Sequence, residues 1–573
     1  LTWLAARALL PAPAPPLRSA LAGWWARLGP GGRAWAGALA ALWLGWVAWQ
    51  LRYPSLSVDG LVYHLALPGL WVHEGSPGAD VEVIAQVPFG HYPLTNEVLT
   101  GWALSISRSW VVGSVWSPLL AALLGAAAWT GLRALGLGGR IAGLAVAALL
   151  SLPLVVSQLG GPLTDLAALT WLVVCGALCA ASATGGGRPL LLAPALVAAG
   201  LAFGTKTTPA VLLLLALGAA AWRHRGALRA HAREYALALA LAAGAGGVWA
   251  TRNLLEHGSP LWPFVSGPFG DPVPPRLDEV SASFLDHPGE MLAGRVDDYL
   301  LLLAGAAVLI VAALVLPLLR RSRAALAAGG AAGLALVSWM AAPYTGIDES
   351  TELAIGATRY LLPAIATAAL AAALSARGAG RALRGLVAAA LALAVALSVL
   401  RVLSLGFPFR PGGGTLVSLL VLGAGAGLLA GRLTGRRSRP LPPAWAAPAL
   451  CVGAAALLAA AAPGYVERHA DVGLVDQGLL RALAAQPGWG EGDAEVAMGP
   501  GTIALAAGDR LEHRVPLASA DAGCHALRAH RERGWLVLQK EPPTDEYERM
   551  DACMAGTEPV WEDDAYALYP PAR

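Results

Sequence analysis

The chain has 573 residues, of which 56% are hydrophobic and only 13% are charged, and its mean hydropathy is +0.58. Its 40 basic and 37 acidic residues leave a formal net charge of +3. Soluble domains carry roughly 25% charged residues, so this composition excludes an ordinary soluble enzyme. Because the apolar residues form long runs that are nearly free of charge, the sequence predicts a polytopic membrane protein.

Thirteen stretches are long enough to cross a bilayer, which requires roughly 17 to 25 apolar residues. They lie at 34–51, 110–132, 141–158, 163–184, 189–204, 207–222, 234–251, 298–320, 324–343, 358–376, 385–404, 414–431 and 443–462. We interpret the first as a retained span, because no small-residue cleavage site follows it; cleavage after this segment is the alternative. The predicted fold class is mainly α, a transmembrane helix bundle of about thirteen spans.

Basic residues separate the two sides of the predicted membrane. The N-terminal tail and every second connection together hold 21 basic residues and a single acid, Glu234. The other connections of the membrane body hold nine basic residues and 17 acids. By the positive-inside rule the first set faces the cytoplasm. With a cytoplasmic N-terminus and thirteen spans, the C-terminal end lies outside, in the periplasm or its equivalent.

A change of composition at residue 463 divides the chain. Residues 1–463 hold 18 acids and 30 bases, whereas residues 464–573 hold 19 acids and 10 bases. We therefore predict a membrane body over 1–463 and an extracytoplasmic domain over 464–573. The second part alternates short strand-like and helical patterns, which indicates a small α/β layer. Cys524 and Cys553 both lie there, on the oxidising side, where a disulfide between them can form.

Two of the predicted outer connections are long, 52–109 and 252–298. The first contains Asp59, Tyr63 and His64 at helical spacing before an apolar, Trp-bearing stretch, which predicts an amphipathic helix at the membrane surface. A second such helix is predicted at 96–107, because its apolar run is too short to span. The Pro, Gly and aromatic content of 252–298 indicates an ordered, non-repetitive lid rather than a linker.

Two acids stand at the predicted outer membrane boundary. Asp59 follows the first span by about eight residues, and Asp165 begins the span at 163–184. A carboxylate at the edge of the hydrocarbon is costly unless it is used or paired, so both are candidates for a functional site. The alternative for each is a helix cap, since SVDGL and PLTDL both place an acid just before an apolar helical run.

Three of the outer basic residues lie at span ends, namely Lys206, Arg252 and Arg359. Cations at the lipid boundary could hold a phosphate or pyrophosphate head group. The alternative is that each simply extends to lipid head groups.

Five sequence blocks, spread over about 50–365, resemble those of bacterial GT-C superfamily glycosyltransferases, the group that includes protein O-mannosyltransferases and the lipid A aminoarabinose transferase. The blocks are VDGLVYHLALPGLWVHEG, HYPLTNEVLTGW, LAFGTKTTPAVLLL, TRNLLEHGSPLWPF and ATRYLLPAIA. The second is similar to an H-x-P-P-L segment, with Leu94 replacing one proline. The resemblance implies an enzyme that transfers a sugar from a polyprenyl-phosphate carrier to an acceptor hydroxyl at the outer face of a bacterial inner membrane.

The same resemblance assigns roles to individual residues. The first-loop acid of the family maps onto Asp59, which would deprotonate the acceptor while Lys206, Arg252 and Arg359 hold the departing phosphate. Related proteins often carry two adjacent acids where this chain has Asp59-Gly60. This leaves open whether Glu97 or Asp165 supplies a second carboxylate and whether a divalent metal is used.

Supporting roles fall to three further residues of the first outer loop. His64 or His91 could tune the acid or bind a metal, and Tyr63 could contact substrate. A structural, hydrogen-bonded role is the alternative for each histidine.

The expected partners are a polyprenyl-phosphate-linked sugar, a lipid, glycan or protein acceptor, and membrane lipids, with no nucleic acid. Two other functions remain open. A transporter or lipid-linked oligosaccharide flippase would place polar groups near the bilayer midplane and often shows two matching halves, neither of which the sequence contains. A non-catalytic scaffold would not need its acids.

Overall fold

The computed structural model describes most of the membrane body and of the C-terminal domain. The described residues are 59–184, 187–268, 270–279, 282–286, 288–289, 303–343, 357–404, 413–435, 477–487, 489, 494–540 and 545–572, with scattered positions between 29 and 48. The predicted span 34–51 lies largely, and the span 443–462 wholly, outside these residues, as does the predicted boundary at 463. The count of thirteen spans and that boundary therefore stay predictions.

Apolar helices build the membrane body. They run over Val111–Ala134, Gly139–Leu150, Pro153–Val156, Asp165–Ala183, Leu192–Thr205, Ala210–Arg223, Ala232–Ala242, Val248–His257, Gly305–Arg320, Arg323–Ala341, Leu362–Ser375, Arg381–Ser404 and Gly413–Gly435. Within the described part of the chain, five helical segments are both long and apolar enough to cross a bilayer: Val111–Ala134, Asp165–Ala183, Arg323–Ala341, Thr358–Ser375 and Arg381–Ser404. Large apolar side chains such as Leu214, Leu318 and Leu400 are exposed on these helices, as expected of surfaces that face lipid.

Hydropathy locates these helices closely but misses their irregularities. The predicted spans 110–132 and 163–184 correspond to Val111–Ala134 and Asp165–Ala183. The predicted span 141–158 is broken after Leu150, because Pro153 begins a separate short helix and disfavours helical backbone in the residue before it. The predicted span 234–251 contains a π-helical turn at Ala243–Gly247.

Glycines let this π-helical turn pack directly against the helix Leu192–Thr205. A Cβ on Gly246 would overlap the carbonyl oxygen of Gly200, and a Cβ on Gly204 would overlap the Cα of Gly246. Gly200 and Gly204 form a G-x-x-x-G pair, the spacing that allows close backbone approach between membrane helices. This contact fixes the end of the helix, where the chain leaves it at Lys206.

The first outer loop is helical where the sequence predicted it, but the predicted amphipathic surface helix is wrong, because six consecutive residues, Ala66–Trp71, are buried. A π-helical turn at Gly60–His64 leads into the helix Ala66–Glu74, and a second helix covers Thr95–Ser107. The described part of the loop 252–298 has little regular structure beyond the short helix Pro275–Glu279.

The C-terminal domain contains a small four-stranded sheet with two helices beside it. Its strands are β1 (Glu495–Gly499), β2 (Gly534–Gln539), β3 (Trp561–Glu562) and β4 (Tyr566–Tyr569). The strand order is β1-β2-β4-β3, with β1 and β2 parallel and the remaining pairs antiparallel. A small sheet is therefore confirmed, and a 3₁₀ turn, Ala504–Ala507, follows strand β1.

The described part of this domain has three α-helices, Gln477–Ala484, Gly523–Arg533 and Asp545–Cys553, and a disulfide joins the last two. It links Cys524 to Cys553, whose Cα atoms are 5.1 Å apart, which confirms the predicted pairing.

The C-terminal domain is attached to the first outer loop by backbone hydrogen bonds. The amide of Thr502 donates to the carbonyl of Val83 (2.9 Å), and the amide of Ala85 donates to the carbonyl of Pro500 (3.0 Å). The indole of Trp110 donates to the carbonyl of Gly508 (2.8 Å). Apolar residues of the loop and of the domain share one buried cluster. The junction follows directly after strand β1, where Gly501 forms an isolated antiparallel bridge with Ile84.

Candidate active site

Asp59 and Arg359 meet although 300 residues separate them in sequence. Asp59 stands at the N-terminal end of the π-helical turn Gly60–His64, but its side chain makes no capping hydrogen bond. Instead its Oδ2 accepts a hydrogen bond from Nη2 of Arg359, which lies in the 3₁₀ turn Thr358–Leu361. The Asp59 side chain is 35% exposed, so its carboxylate remains accessible to a substrate. The capping alternative therefore does not describe Asp59.

Asp165 joins two cations. Its Oδ1 accepts a hydrogen bond from Nζ of Lys206, and its Oδ2 lies 3.2 Å from Nε of Arg359. The Asp165 side chain is only 4% exposed, and the residue occupies the first turn of Asp165–Ala183, where the helix dipole favours a negative charge. The N-cap position belongs to Thr164, so the alternative of Asp165 as the cap is wrong.

Tyr360 completes this group of five residues, which we call the boundary cluster: Asp59, Asp165, Lys206, Arg359 and Tyr360. The Lys206 ammonium lies 3.8 Å from the centre of the Tyr360 ring, and Nη2 of Arg359 lies 3.3 Å from the Tyr360 hydroxyl. Two carboxylates and two cations balance in charge. Lys206 and Arg359 come together as predicted, at one carboxylate that holds them both.

The electrostatic surroundings keep Asp59 ionised. Burial alone would raise the pKa of Asp59, but the Arg359 guanidinium, followed by His64 and Lys206, holds that pKa below its usual value. Burial, reinforced by the charge of Asp59, raises the pKa of Tyr63 well above that of a free tyrosine. The Tyr63 hydroxyl is therefore a neutral hydrogen-bonding group at any physiological pH.

The predicted supporting residues of the first loop occupy the other side of Asp59. Nδ1 of His64 lies 2.5 Å from Oε1 of Glu97, and both side chains are buried. The ring of Tyr63 stacks on Phe89 with centroids 4.2 Å apart, and Tyr92 packs edge-on against both rings. Glu97 thus pairs with His64 rather than forming a second carboxylate beside Asp59.

Arg252 belongs to a different group of side chains. Its Nη2 donates a hydrogen bond to the carbonyl of Gly90, and its guanidinium lies over Trp249. Its Nε is 3.9 Å from Glu256 one helical turn away. Among the described residues, none of its ion pairs or hydrogen bonds involves Lys206 or Arg359, so the predicted trio of phosphate-binding cations is brought together only in part.

Near Arg252, three side chains converge in a geometry that could hold a metal. His91, Glu256 and His257 each offer one ligand atom, and these atoms lie within 4.8 Å of one another. Nε2 of His91 is 3.0 Å from Asp80, and Nδ1 of His257 is 2.8 Å from Asp271. The hydrogen bond with His91 is the main cause that lowers the pKa of Asp80.

Each histidine therefore has a carboxylate on one ring nitrogen. Its other nitrogen, Nδ1 of His91 and Nε2 of His257, is buried and has no hydrogen-bond partner among the described residues. A histidine that binds a metal characteristically donates its second nitrogen to a carboxylate.

Sequence reasoning found His91 but missed its companions. Glu256 and His257 are adjacent in the block TRNLLEHGSPLWPF, and their proximity to His91 depends on the packing of two loops. Tyr360, adjacent to Arg359, was also missed. One signal in the sequence could have identified these three residues. Glu256 and His257 follow Arg252 closely and Tyr360 is adjacent to Arg359, and both arginines were already candidates.

Known proteins give a fold for comparison. No protein-family model matches the sequence, and no curated protein matches it. The crystal structure of ArnT from Cupriavidus metallidurans bound to undecaprenyl phosphate is similar to the chain, with a TM-score of 0.50 and 13% sequence identity over 93% of this chain and 97% of that one. The apo structure of the same protein gives a TM-score of 0.46 and 15% identity, covering 94% and 97%. The first comparison confirms the resemblance inferred from the sequence at the level of the fold.

Proposed function

We propose that this protein is an integral membrane glycosyltransferase that moves a sugar from a polyprenyl-phosphate donor to an acceptor hydroxyl. The boundary cluster carries the proposal, because it combines an accessible carboxylate with two cations at helix ends. The shared fold supports the donor class, since the ArnT structure holds undecaprenyl phosphate. The charge distribution of the sequence supports a cytoplasmic N-terminus and a C-terminal domain on the outer face. The resemblance to bacterial GT-C glycosyltransferases supports placement in a bacterial inner membrane.

In this proposal Lys206 and Arg359 bind the donor phosphate. Both cations are engaged by carboxylates, so an arriving phosphate competes with Asp59 and Asp165 for them. Asp165 is the more buried of the two acids and holds both cations, so Arg359 is released more easily from Asp59. Losing this partner and gaining a nearby phosphate both raise the pKa of Asp59. Donor binding thereby converts a weak base into a stronger one.

The transfer then follows from this arrangement. The acceptor oxygen forms a bond to the anomeric carbon, and the bond from that carbon to the phosphate oxygen breaks. The proton of the acceptor hydroxyl passes to Asp59, and the negative charge that develops on the departing phosphate is stabilised by Lys206 and Arg359. The polyprenyl phosphate leaves, and Asp59 returns its proton to solvent through its accessible side. Arg252 does not bind the phosphate in this proposal. It positions the first outer loop through its hydrogen bond to the carbonyl of Gly90.

We also propose that His91, Glu256 and His257 bind a divalent transition metal. Two imidazole nitrogens and a carboxylate are a common ligand set for zinc and leave a fourth position open. An ion at this site would link the outer loop 52–109, through His91, to the outer loop 252–298, through Glu256 and His257. Metal analysis of the purified protein should give stoichiometric metal, and His257→Ala should lose it while the exposed His525→Ala retains it. Wild-type protein that takes up no metal from a zinc-containing buffer would contradict this assignment.

The function is tested with Asp59→Asn in membranes supplied with lipid-phosphate-linked sugars. We expect wild-type protein to transfer a sugar and the variant to lose at least about 100-fold in rate, since general bases contribute roughly 10²–10⁴-fold. Glu82→Gln, an exposed first-loop acid outside the boundary cluster and the proposed metal site, is the matched control for loop integrity. Undiminished transfer by a stably inserted Asp59→Asn would show that Asp59 is not the base. Solute or lipid translocation that survives the change, without sugar transfer, would favour a transporter.

A further inference from the structure

Five exposed arginines gather at one end of the helix bundle, on two connections that lie side by side. The hydroxyl of Tyr235 donates a hydrogen bond to the carbonyl of Pro189 (2.8 Å), which joins the two connections. A Cβ on Gly187 would lie 3.7 Å from Cε1 of His224, so they also meet beside Arg188. We call the exposed basic residues here the arginine cluster: Arg188, Arg223, Arg225, Arg229 and Arg233.

Two helices separate the arginine cluster from the proposed active site. The helix Ala210–Arg223 begins four residues after Lys206 and ends at the cluster. The helix Leu192–Thr205 begins four residues after Arg188 and ends directly before Lys206. Each helix has 14 residues and is therefore roughly 20 Å long. The arginine cluster and Lys206 thus lie at opposite ends of both helices, so the cluster is distinct from the proposed donor site.

Acids of the chain do not balance the charge of the arginine cluster. Residues 185–233 contain no aspartate or glutamate, and Glu234 is the first acid that follows. Among the described residues, no ion pair involves an arginine of the cluster. Arg320 differs, because it donates to the carbonyls of Arg377 and Gly378 (3.2 and 3.4 Å) and so joins two connections. The exposed guanidinium groups of the cluster therefore create a positive potential that attracts an anion from outside the chain.

An apolar surface beside the cluster indicates that this anion belongs to a lipid. Trp222 is 71% exposed, and the guanidinium carbon of Arg225 lies 4.8 Å from the centre of its ring. Leu214, Gly218 and Trp222 follow one another at intervals of four residues, so they share one exposed face of the helix. A Cβ on Gly218 would meet no atom within 4 Å. The face therefore has an open gap between two large apolar side chains, next to the arginines, which an acyl chain can fill and a soluble anion cannot use.

The helix Ala232–Ala242 repeats this arrangement. Arg233, Leu237 and Leu241 also follow at intervals of four residues, and all three are exposed. Each of the two helices thus has an arginine at its end and an exposed apolar face beyond it. Guanidinium groups bind phosphate through paired hydrogen bonds, and apolar faces contact acyl chains. A phospholipid presents both chemical groups in this order.

We infer that the arginine cluster binds an anionic phospholipid from the leaflet at this end of the bundle, with its phosphate on the guanidinium groups and its acyl chains along the two apolar faces. Five arginines exceed the charge of one phosphate, so a lipid with two phosphates, cardiolipin, should bind more tightly than phosphatidylglycerol, which has one. The bound lipid would hold the two connections together. The inference is independent of the proposed function, because lipid binding is measured without sugar transfer.

Native mass spectrometry of the purified full-length protein counts the bound lipids directly. We expect wild-type protein to retain cardiolipin most strongly, phosphatidylglycerol less strongly and phosphatidylcholine least. Cardiolipin should also raise the thermal unfolding midpoint, because it binds the folded state. The triple variant Arg223→Gln/Arg225→Gln/Arg229→Gln should bind cardiolipin at least about tenfold more weakly, since each basic residue near a membrane surface adds to the attraction of anionic lipids.

The matched control is Arg323→Gln/Arg381→Gln/Arg384→Gln, which removes three exposed arginines from other connections and should bind cardiolipin like wild type. Equal losses in the two triple variants would show attraction to overall positive charge and overturn the inference. If the first variant does not fold, Trp222→Ala keeps every charge and should weaken cardiolipin binding several-fold; unchanged binding would overturn the inference. Equal retention of phosphatidylcholine, or equal stabilisation by inorganic phosphate, would also overturn it.

Discussion

Asp165 illustrates how a buried charge is tolerated at the membrane boundary. Its side chain is 4% exposed, yet it has Lys206 on one oxygen and Arg359 close to the other. Desolvating a carboxylate costs several kcal/mol, which a single cation seldom offsets. Here two cations and the helix N-terminus surround the carboxylate and together offset that cost. The same carboxylate aligns both cations, so their spacing is set before any substrate binds.

Arg359→Lys tests whether the shape of the guanidinium matters as well as its charge. Arg359 uses separate nitrogens for Asp165 and for Asp59 and Tyr360, which one ammonium cannot reproduce. We expect kcat/KM to fall by about tenfold or more. Because the pKa of Asp59 is depressed mainly by this guanidinium, loss of the contact raises that pKa and moves the acid limb of the pH profile to higher pH.

The measurement for Arg359→Lys is a pH profile beside that of Arg276→Lys, an outer-loop arginine that hydrogen-bonds the carbonyl of Ala85. Wild-type kinetics in Arg359→Lys would show that only the positive charge is needed.

At the scale of helices, the first turn of Thr95–Ser107 joins three parts of the molecule. The hydroxyl of Thr95 donates to the carbonyl of Ala245 in the second π-helical turn and accepts from the indole of Trp249. Asn96 accepts a hydrogen bond from the indole of Trp116, and Glu97 holds His64. Three consecutive buried polar residues therefore connect two π-helical turns and a membrane helix. Such turns are frequent at functional sites.

Gly246→Leu tests the close packing between the π-helical turn Ala243–Gly247 and the helix Leu192–Thr205. The added side chain would overlap the backbone of Gly200 and Gly204, and overpacking typically costs about 1–3 kcal/mol. We expect a lower thermal unfolding midpoint in detergent, together with reduced activity because the position of Lys206 depends on this contact.

Gly244→Leu is the matched control for this packing, since Gly244 lies in the same turn and a Cβ there meets no neighbour within 4 Å. Equal unfolding midpoints for the two variants would refute the packing argument.

At the scale of the whole molecule, hydropathy and charge predict the helices and the chemical type of the site, but not its pairings. Spans such as 163–184 can be predicted from the sequence, because a segment that crosses the lipid bilayer must be a continuous apolar run. The meeting of Asp59 with Arg359, or of His91 with His257, depends on how distant segments pack, and one sequence carries little signal for contacts between residues so far apart. The π-helical turns were missed because apolar periodicity does not distinguish them from the ordinary helical turns beside them.

The hydrogen bonds between the first outer loop and the C-terminal domain have a consequence for biogenesis. Val83 and Ala85 are synthesised early, whereas their partners Thr502 and Pro500 are made more than four hundred residues later. Until those partners have been made, the segment that bears Asp59 lacks part of its scaffold. A chain truncated before Pro500 would lack these hydrogen bonds, so the first outer loop gains its full support only late in synthesis.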